Sequence, residues 1–360
     1  MIDTDVFQRL HAIGMTARMF QQTLNLAPQG AETCLMRVTE VQRDCLTLHD
    51  GQSEHPARAL PALLSRLHDE ADGLAVGDWV WAALHAHGEW WAHQRVPPLT
   101  QIARRLHDGR DKVTRVVIVS NVDTALLVMG LDHDFSLRRL ERYLALVRLA
   151  DVQAVVVLTK ADLCAQAEKR CADVQALLPP GAAVVAVNAL GEEPRSALAP
   201  WLALGQTLVL LGSSGTGKST LTNALIGTAG QLTGANRAGD GRGRHTTTAR
   251  SMHQVPGGAC IIDTPGLRTL RLDSEAGALE GVFTDIAQHA LACRFRDCRH
   301  AQEPGCAVRA EVPAERVDSF QKLQREARRD SMTALERKAQ VSEWRARGRA
   351  ARVRMETKRG

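Results

Sequence analysis

Two hydrophobic patterns divide the chain. Between residues 34 and 49 apolar positions partly alternate with polar ones, and similar short runs, separated by turn residues, continue to residue 96. A period of two is typical of half-buried β-strands, and several such strands within about 70 residues predict a small β-barrel. From residue 115 the apolar runs are nearly continuous, which is typical of parallel strands covered on both faces.

The continuous runs alternate with helix-like segments, such as residues 136–149 and 218–226. This alternation predicts a parallel α/β sheet, with the ligand at the carboxyl ends of its strands. The predicted strands are residues 115–120, 154–158, 183–187, 207–211 and 260–262.

The strongest chemical motif fits G-x-x-x-x-G-K-[ST] and lies between a predicted strand and a predicted helix. Its glycines let the backbone turn so that successive N–H groups point at phosphate oxygens. Lys218 would reach the β- and γ-phosphates, and the Ser219 hydroxyl would ligate Mg²⁺. The predicted nucleotide-binding residues are Gly212, Ser213, Ser214, Gly215, Thr216, Gly217, Lys218, Ser219 and Thr220.

Thr159-Lys160-Ala161-Asp162 follows another predicted strand and looks like the N/T-K-x-D element of guanine-nucleotide proteins. The Asp162 carboxylate can accept hydrogen bonds from guanine N1–H and the 2-amino group, a donor pair that adenine lacks. The stem of Lys160 can cover the base plane. Because Thr159 stands where Asn is commoner, we expect one hydrogen bond to be weaker or lost. GTP and GDP are the expected ligands.

Three further segments complete the predicted site. Asn188 and Ala189 follow a predicted strand, and a backbone N–H near Ala189 would donate to guanine O6; an ordinary turn is the alternative. Asp263-Thr-Pro-Gly266 fits D-x-x-G, with Asp263 holding Mg²⁺ through water and the Gly266 N–H sensing the γ-phosphate. Residues 239–248 are rich in Gly, Arg and Thr, so we expect a mobile segment in which Thr246, Thr247 or Thr248 orders on the γ-phosphate and Mg²⁺. A polar loop without a ligand is the alternative.

Leu267 stands where Ras-like proteins carry a water-positioning Gln, and a leucine cannot orient water. We therefore expect slow intrinsic hydrolysis that a partner activates. His245 is a candidate to position the water; an RNA contact and an ordinary loop residue are the alternatives. The expected catalytic residues are Lys218, Thr248 and His245.

Three of the eight cysteines crowd into one short segment together with a histidine, in the pattern C-x4-C-x-H-x5-C. This asymmetry favours a metal site over disulfides, with reduced core cysteines as the alternative. Three thiolates and one imidazole fill the tetrahedral shell of Zn²⁺, so the site should be structural. The predicted ligands are Cys293, Cys298, His300 and Cys306, and the intervening Arg294, Arg296 and Arg299 indicate contact with nucleic acid.

The base-reading motif precedes the phosphate loop, whereas ordinary small GTPases have the opposite order. Together with Val76-Gly77-Asp78-Trp79-Val80, Asn121-Val122-Asp123, His245-Thr-Thr-Thr248 and the Cys/His spacing, this order closely resembles the RsgA (YjeQ) family of circularly permuted GTPases. The resemblance covers about residues 35–320. It implies GTPase activity stimulated by the 30S subunit, in late maturation of the small ribosomal subunit.

We therefore expect a multidomain α/β protein with an N-terminal OB-fold β-barrel, a central circularly permuted P-loop GTPase domain and a C-terminal zinc-binding domain with a helical tail. The expected partners are the 30S subunit and its rRNA, the expected cofactors are one structural Zn²⁺ and Mg²⁺ with GTP, and the expected state is a monomer. The expected boundaries are an N-terminal arm, mobile and without a clear pattern, over residues 1–33, the OB-fold over 34–100, the GTPase domain over 101–282, the zinc-binding domain over 283–320 and a basic helical tail over 321–360.

The net charge of +5 is placed unevenly, because residues 321–360 carry 13 basic and 5 acidic residues. A basic helix suggests a polyanionic partner such as RNA; a solvated helical face is the alternative. We see no secretory start and no apolar run of the ~18 to 20 residues that a membrane span needs. We therefore expect a soluble, cytoplasmic protein without a membrane partner.

Two other functions fit these features. One is an RNA chaperone that uses its OB-fold and zinc module and holds GTP only as a clamp. The other is a permuted GTPase that acts on the large subunit or another RNA. The barrel and the Cys/His cluster match the small-subunit family and argue against the latter.

Overall fold

The computed structural model describes residues 4–24, 26, 33–42, 45–85, 88–107, 113–178, 182–191, 193–227, 250–266, 279, 281–331 and 336. The chain forms two compact units. The first contains residues 1–104 and 115–270, and the second contains residues 105–114 and 271–360.

The N-terminal segment differs from the mobile arm that we expected over residues 1–33. It contains two helices, α1 (Thr4–Ala12) and α2 (Ala17–Leu24). Leu10, Met15 and Met19 are buried, and the side-chain amide of Gln254 donates to the Ala12 carbonyl at 3.0 Å. The helices therefore belong to the first unit. The hydrophobic periodicity of the sequence does not reveal these helices, because each is at most nine residues long and buries few side chains.

Five strands close into a barrel, as the alternating pattern predicts. The order is β1-β2-β3-β5-β4, and antiparallel pairing of β1 with β4 closes the ring. Its apolar interior includes Met36, Val38, Leu48 and Val80. A helix between the third and fourth strands gives the OB-fold arrangement, so this part of the prediction is confirmed. The elements are β1 (Thr33–Gln42), β2 (Cys45–His49), β3 (Glu54–Ala59), α3 (Pro61–Asp69), β4 (Trp79–Leu84) and β5 (Trp90–Arg95).

The Val-Gly-Asp-Trp segment lies where the barrel meets the start of the α/β part. Gly77 has φ +96°, and a Cβ there would lie 2.0 Å from the Ser120 carbonyl oxygen, so only glycine fits. Asp78 is fully buried and accepts a hydrogen bond from the Ala75 N–H at 2.8 Å. Burial raises the pKa of Asp78 to about 6, although Arg95 opposes the shift. Strands β6 (Gln101–His107) and β7 (Val113–Ser120) form a separate two-stranded sheet.

The central sheet has the strand order β10-β9-β8-β11-β13-β12. Five strands are parallel and β12 is antiparallel to β13. The strands are β8 (Thr124–Gly130), β9 (Gln153–Thr159), β10 (Ala183–Val187), β11 (Thr207–Leu211), β12 (Ser251–Gln254) and β13 (Cys260–Asp263); the helices are α4 (Leu137–Leu149), α5 (Ala167–Gln175), α6 (Glu193–Ala197) and α7 (Lys218–Ile226). Short 3₁₀ turns cover Ala161–Leu163 and Ala199–Trp201.

Barrel and central sheet are joined within the first unit. Glu40 of β1 pairs with Ser251 of β12, which makes the two sheets continuous. The fully buried guanidinium of Arg37 donates to the Ile13 carbonyl, to Thr207 Oγ1 at 2.9 Å and to the Asn121 carbonyl at 2.9 Å. One arginine thus connects the residue after α1, the barrel and the central sheet.

The second unit contains α8 (Thr284–Ala290), α9 (Ala307–Glu311) and α10 (Ala314–Ser331). Phe283 and Phe320 pack edge to face with ring centroids 5.2 Å apart. Helix α10 starts before the tail that we predicted and runs into it, while most of residues 332–360 lie outside the described residues. Among the helices that the structure describes, none has the length and apolar content that a bilayer span requires.

Candidate functional site

The glycine-rich loop joins the buried strand β11 to helix α7, at the carboxyl end of the sheet. Gly215 and Gly217 have φ angles of +83° and +88°, which favour glycine. A Cβ at Gly212 would lie 2.3 Å from the Val128 carbonyl oxygen, so the loop packs directly against the neighbouring strand. The sequence therefore forms a tight turn with its backbone exposed on one side, where Ser214 and Gly215 face solvent.

The Lys218 ammonium lies folded over this loop. Its Nζ donates to the Gly212 carbonyl at 3.1 Å and to the Ser213 carbonyl at 2.7 Å. Burial lowers the pKa of Lys218, while nearby Asp263 and Asp134 oppose the shift. A buried ammonium that is held by carbonyl oxygens is ready to exchange some of these contacts for phosphate oxygens.

Asp263 ends β13 beside the phosphate loop. Its Oδ2 accepts a hydrogen bond from Ser219 Oγ at 3.3 Å, whereas its buried Oδ1 has no hydrogen-bond partner among the residues described. Burial raises the pKa of Asp263, and Lys218 only partly offsets this effect. An unsatisfied buried carboxylate oxygen next to a serine hydroxyl is a donor set that Mg²⁺ accepts.

The D-x-x-G segment runs close to the loop. A Cβ at Gly266 would lie 2.6 Å from the Ser214 nitrogen, so glycine allows the two backbones to approach. The buried Thr264 hydroxyl donates to the Leu210 carbonyl at 2.6 Å and fixes the segment to β11. The structure thus brings the two predicted phosphate-binding motifs together.

The base-reading motif lies at the end of β9, two strands from β11. The buried Thr159 hydroxyl donates to the Thr216 carbonyl at 2.7 Å, so threonine keeps a direct connection to the phosphate loop. Lys160 has φ +60°, and its Nζ donates to Asp132 Oδ2 at 2.6 Å and to the Gly215 carbonyl at 3.0 Å. Asp162 is exposed in the following 3₁₀ turn, and its carboxylate is accessible to a ligand.

Asn188 and Ala189 follow β10, at the same carboxyl end of the sheet as the phosphate loop. The Asn188 side-chain oxygen accepts a hydrogen bond from the Leu190 N–H at 3.0 Å, and the Asn188 N–H donates to Glu193 at 3.2 Å. Asn188 therefore shapes a local turn, and Ala189 is buried within it. His245, Thr248 and Leu267 lie outside the described residues, so their predicted roles stay predictions.

The predicted metal ligands come together in the second unit. One ligand atom from each of Cys293, Cys298, His300 and Cys306 lies within 4.8 Å of the others. Cys293 Sγ is 4.0 Å from Cys306 Sγ and 3.7 Å from His300 Nδ1, and Cys306 Sγ is 3.5 Å from the same nitrogen. Zn–S bonds of about 2.3 Å and Zn–N bonds of about 2.0 Å give tetrahedral edges of about 3.5 to 3.8 Å, so the four residues fit zinc.

His300 has φ +55°, an uncommon angle for a non-glycine residue, which holds its ring toward the cysteines. Burial lowers the pKa of His300, which favours the neutral imidazole that metal ligation requires.

Sequence reasoning missed the loop between β8 and α4. Asp132 holds Lys160, and Asp134 accepts a hydrogen bond at 2.7 Å from Arg139, which also reaches the phosphate loop. Their position in the sequence could have identified these polar residues, because they directly follow the carboxyl end of a buried parallel strand.

Solved structures share this fold. YjeQ from Thermotoga maritima matches with a TM-score of 0.57 and 22% identity, over 82% of this chain and 98% of that chain. YloQ, described as a circularly permuted GTPase, matches with a TM-score of 0.56 and 22% identity, over 84% of this chain and 97% of that chain. The predicted multidomain fold class, including the permuted order, is confirmed.

Curated relatives are more similar in sequence. The small ribosomal subunit biogenesis GTPase RsgA 2 of Vibrio parahaemolyticus is 44% identical over 280 residues, 76% of this chain and 76% of that protein. The small ribosomal subunit biogenesis GTPase RsgA of Xanthomonas campestris pv. campestris is 43% identical over 285 residues, 78% of this chain and 76% of that protein. The model of the RsgA GTPase family matches residues 100–273. The chain therefore belongs to the RsgA GTPase family.

Proposed function

We propose that this protein binds the small ribosomal subunit and hydrolyses GTP to GDP and phosphate during late maturation of that subunit. The observation that carries the proposal is the 2.7 Å hydrogen bond from Thr159 to the Thr216 carbonyl. It joins the base-reading motif to the phosphate loop, although 57 positions separate the two residues. A single ligand with a guanine base and a polyphosphate fits that arrangement.

The chain's own groups divide the work between the two ends of the nucleotide. Backbone N–H groups of the phosphate loop and the Lys218 ammonium bind the phosphates and stabilise the charge that develops during transfer. The exposed Asp162 carboxylate accepts hydrogen bonds from the guanine edge, and the stem of Lys160 lies along the base. A backbone N–H at Ala189 donates to guanine O6, while Asn188 maintains the turn.

Mg²⁺ bound with GTP would supply positive charge at the phosphates. Ser219 and Asp263 are the described residues that would hold it, with Thr248 as the predicted third group. The unsatisfied Asp263 Oδ1 supports this assignment. His245 is proposed to orient the attacking water, because Leu267 has no group that could do so.

Zn²⁺ held by Cys293, Cys298, His300 and Cys306 would be structural, because four protein ligands leave no open position. The intervening Arg294, Arg296 and Arg299 are exposed and carry their charge to the surface of this segment. Such cations can bind RNA phosphates. Together with the small-subunit biogenesis for which the relatives are named, this supports rRNA of the small subunit as the partner.

GTP turnover with and without purified small subunits tests the proposal. We expect slow release of phosphate by the protein alone and faster release when small subunits, but not large subunits, are added. The Lys218→Ala variant is the matched negative control and should lose turnover in both conditions. Tight GTP binding without turnover in either condition would identify a nucleotide-dependent clamp instead, and stimulation by large subunits would identify a different RNA partner.

A further inference from the structure

Arg139 connects helix α4 to the phosphate loop. It lies in the first turn of α4, and its guanidinium donates to Asp134 Oδ1 and to the Asp134 carbonyl, each at 2.7 Å. Its Nη1 also donates to Ser213 Oγ at 2.7 Å. Two contacts with Asp134 therefore fix the guanidinium, and the third contact acts on the loop. Asp134 neutralises the positive charge of Arg139. The arginine therefore acts by positioning the loop and not by long-range electrostatic attraction of the phosphates.

Ser213 links Arg139 to the groups that are proposed to bind phosphate. Its carbonyl oxygen accepts hydrogen bonds from Lys218 Nζ at 2.7 Å and from Thr216 Oγ1 at 3.0 Å. Its hydroxyl also shares a hydrogen bond with the buried Tyr143 of α4. Any shift of Ser213 thus moves the carbonyl that holds the Lys218 ammonium. The loop's own glycines at positive φ leave its backbone little intrinsic stiffness.

We propose that Arg139 is a positioning residue of the nucleotide site. Anchored by Asp134, it fixes Ser213 so that the loop keeps its phosphate-binding shape before a nucleotide arrives. A preformed loop binds more tightly because less conformational entropy is lost on binding. Arg139 itself does not touch the nucleotide. The inference rests on the proposed function, because it assigns Arg139 to the same phosphate site.

The test compares nucleotide affinities of the full-length, nucleotide-free protein and its variants, using fluorescent mant-GDP. The variants are Arg139→Ala, Ser213→Ala and the double substitution. Arg138→Ala is the matched control, because Arg138 is the exposed neighbour on the same helix turn. We expect Arg139→Ala to raise the dissociation constant about fivefold, the effect of one charge-assisted hydrogen bond that is partly exposed. Ser213→Ala also removes the contact with Tyr143 and should weaken binding at least as much. The double variant should bind about as weakly as Ser213→Ala alone, and Arg138→Ala should bind like the wild-type protein.

Steady-state hydrolysis separates positioning from catalysis. In Arg139→Ala, the KM for GTP should rise by a larger factor than the turnover number falls. A dissociation constant within twofold of wild type, or factors that multiply in the double variant, would overturn the inference. If circular dichroism shows that Arg139→Ala does not fold, Ser213→Ala is compared with Tyr143→Phe, which removes only the other partner of the Ser213 hydroxyl; equal binding by these two variants would overturn the inference. A wild-type protein that fails to bind mant-GDP would refute the proposed function itself, whereas normal binding by all variants would refute only the role of Arg139.

Discussion

Thr159→Val probes the connection between base reading and phosphate binding. Valine has nearly the same shape but cannot donate to the Thr216 carbonyl, which now receives a hydrogen bond of 2.7 Å. Thr159 and Thr216 are 0% and 1% exposed, so water cannot readily replace the lost donor. The Thr159 hydroxyl has one proton to donate, and the Met129 carbonyl at 3.4 Å is a weaker acceptor contact than the Thr216 carbonyl.

An unsatisfied buried carbonyl costs about 1 to 2 kcal/mol. Because the carbonyl belongs to the phosphate loop, we expect most of this cost to appear as weaker nucleotide binding. The dissociation constants for GDP and GTP should therefore rise about 5- to 30-fold. Titration with mant-nucleotides measures this change, and urea unfolding without nucleotide measures the part of the cost that falls on stability.

Two variants control the interpretation. Thr159→Ser keeps the hydroxyl and should bind within about twofold of the wild-type protein. Thr124→Val removes a buried threonine from the opposite end of neighbouring strand β8, where its hydroxyl has only a 3.4 Å contact with Gln153. Nucleotide binding by Thr159→Val that equals binding by Thr124→Val would refute the reasoning, because the loop would then not depend on the hydrogen bond.

Four further outcomes are expected. Asp162→Asn should shift the preference from guanine toward xanthine nucleotides, because the amide can donate to the xanthine carbonyl; competition binding measures the shift, and an unchanged guanine preference would contradict the base-reading role. Burial raises the pKa of Asp78 from 3.8 to about 6, so the folded state binds the Asp78 proton more tightly than the unfolded state does. The free energy of unfolding should therefore fall by about 3 kcal/mol as the pH rises from below 3.8 through 6. Urea unfolding of Asp78→Asn should lack that fall, and equal pH profiles would exclude Asp78 as its source. Purified protein should contain one zinc per chain by elemental analysis, and Cys298→Ser should lose it while Cys45→Ser, at an exposed cysteine of the barrel, keeps it. Removing residues 332–360, which carry nine basic and three acidic residues, should weaken small-subunit binding most at low salt, and binding unchanged across a salt titration would exclude the tail as an RNA anchor.

The candidate nucleotide site could be predicted because its motifs are local in sequence. Glycines at fixed spacing, a lysine and a serine between a buried strand and a helix are readable without tertiary structure. The same holds for the Cys/His segment, whose ligands span only residues 293–306. The expected weakening at Thr159 was argued from residue type alone, and the structure instead gives its hydroxyl a short contact with the loop.

The contacts that connect distant segments were not predictable. Arg37 lies in an alternating strand, where an arginine indicates a solvent-facing position. It is buried because its partners Ile13, Asn121 and Thr207 are 24, 84 and 170 positions away. Arg139 likewise acts on a loop 74 positions later. Only the assembled fold brings such acceptors together.

The pairing of Glu40 with Ser251 protects β12, the strand at one edge of the central sheet. A terminal strand normally offers unpaired N–H and C=O groups to which a foreign strand can add. Here β12 has β13 on one side, and β1 pairs with it at Ser251 on the other, so the barrel covers this part of the edge. An incoming strand would have to displace part of the chain's own N-terminal half before it could attach there.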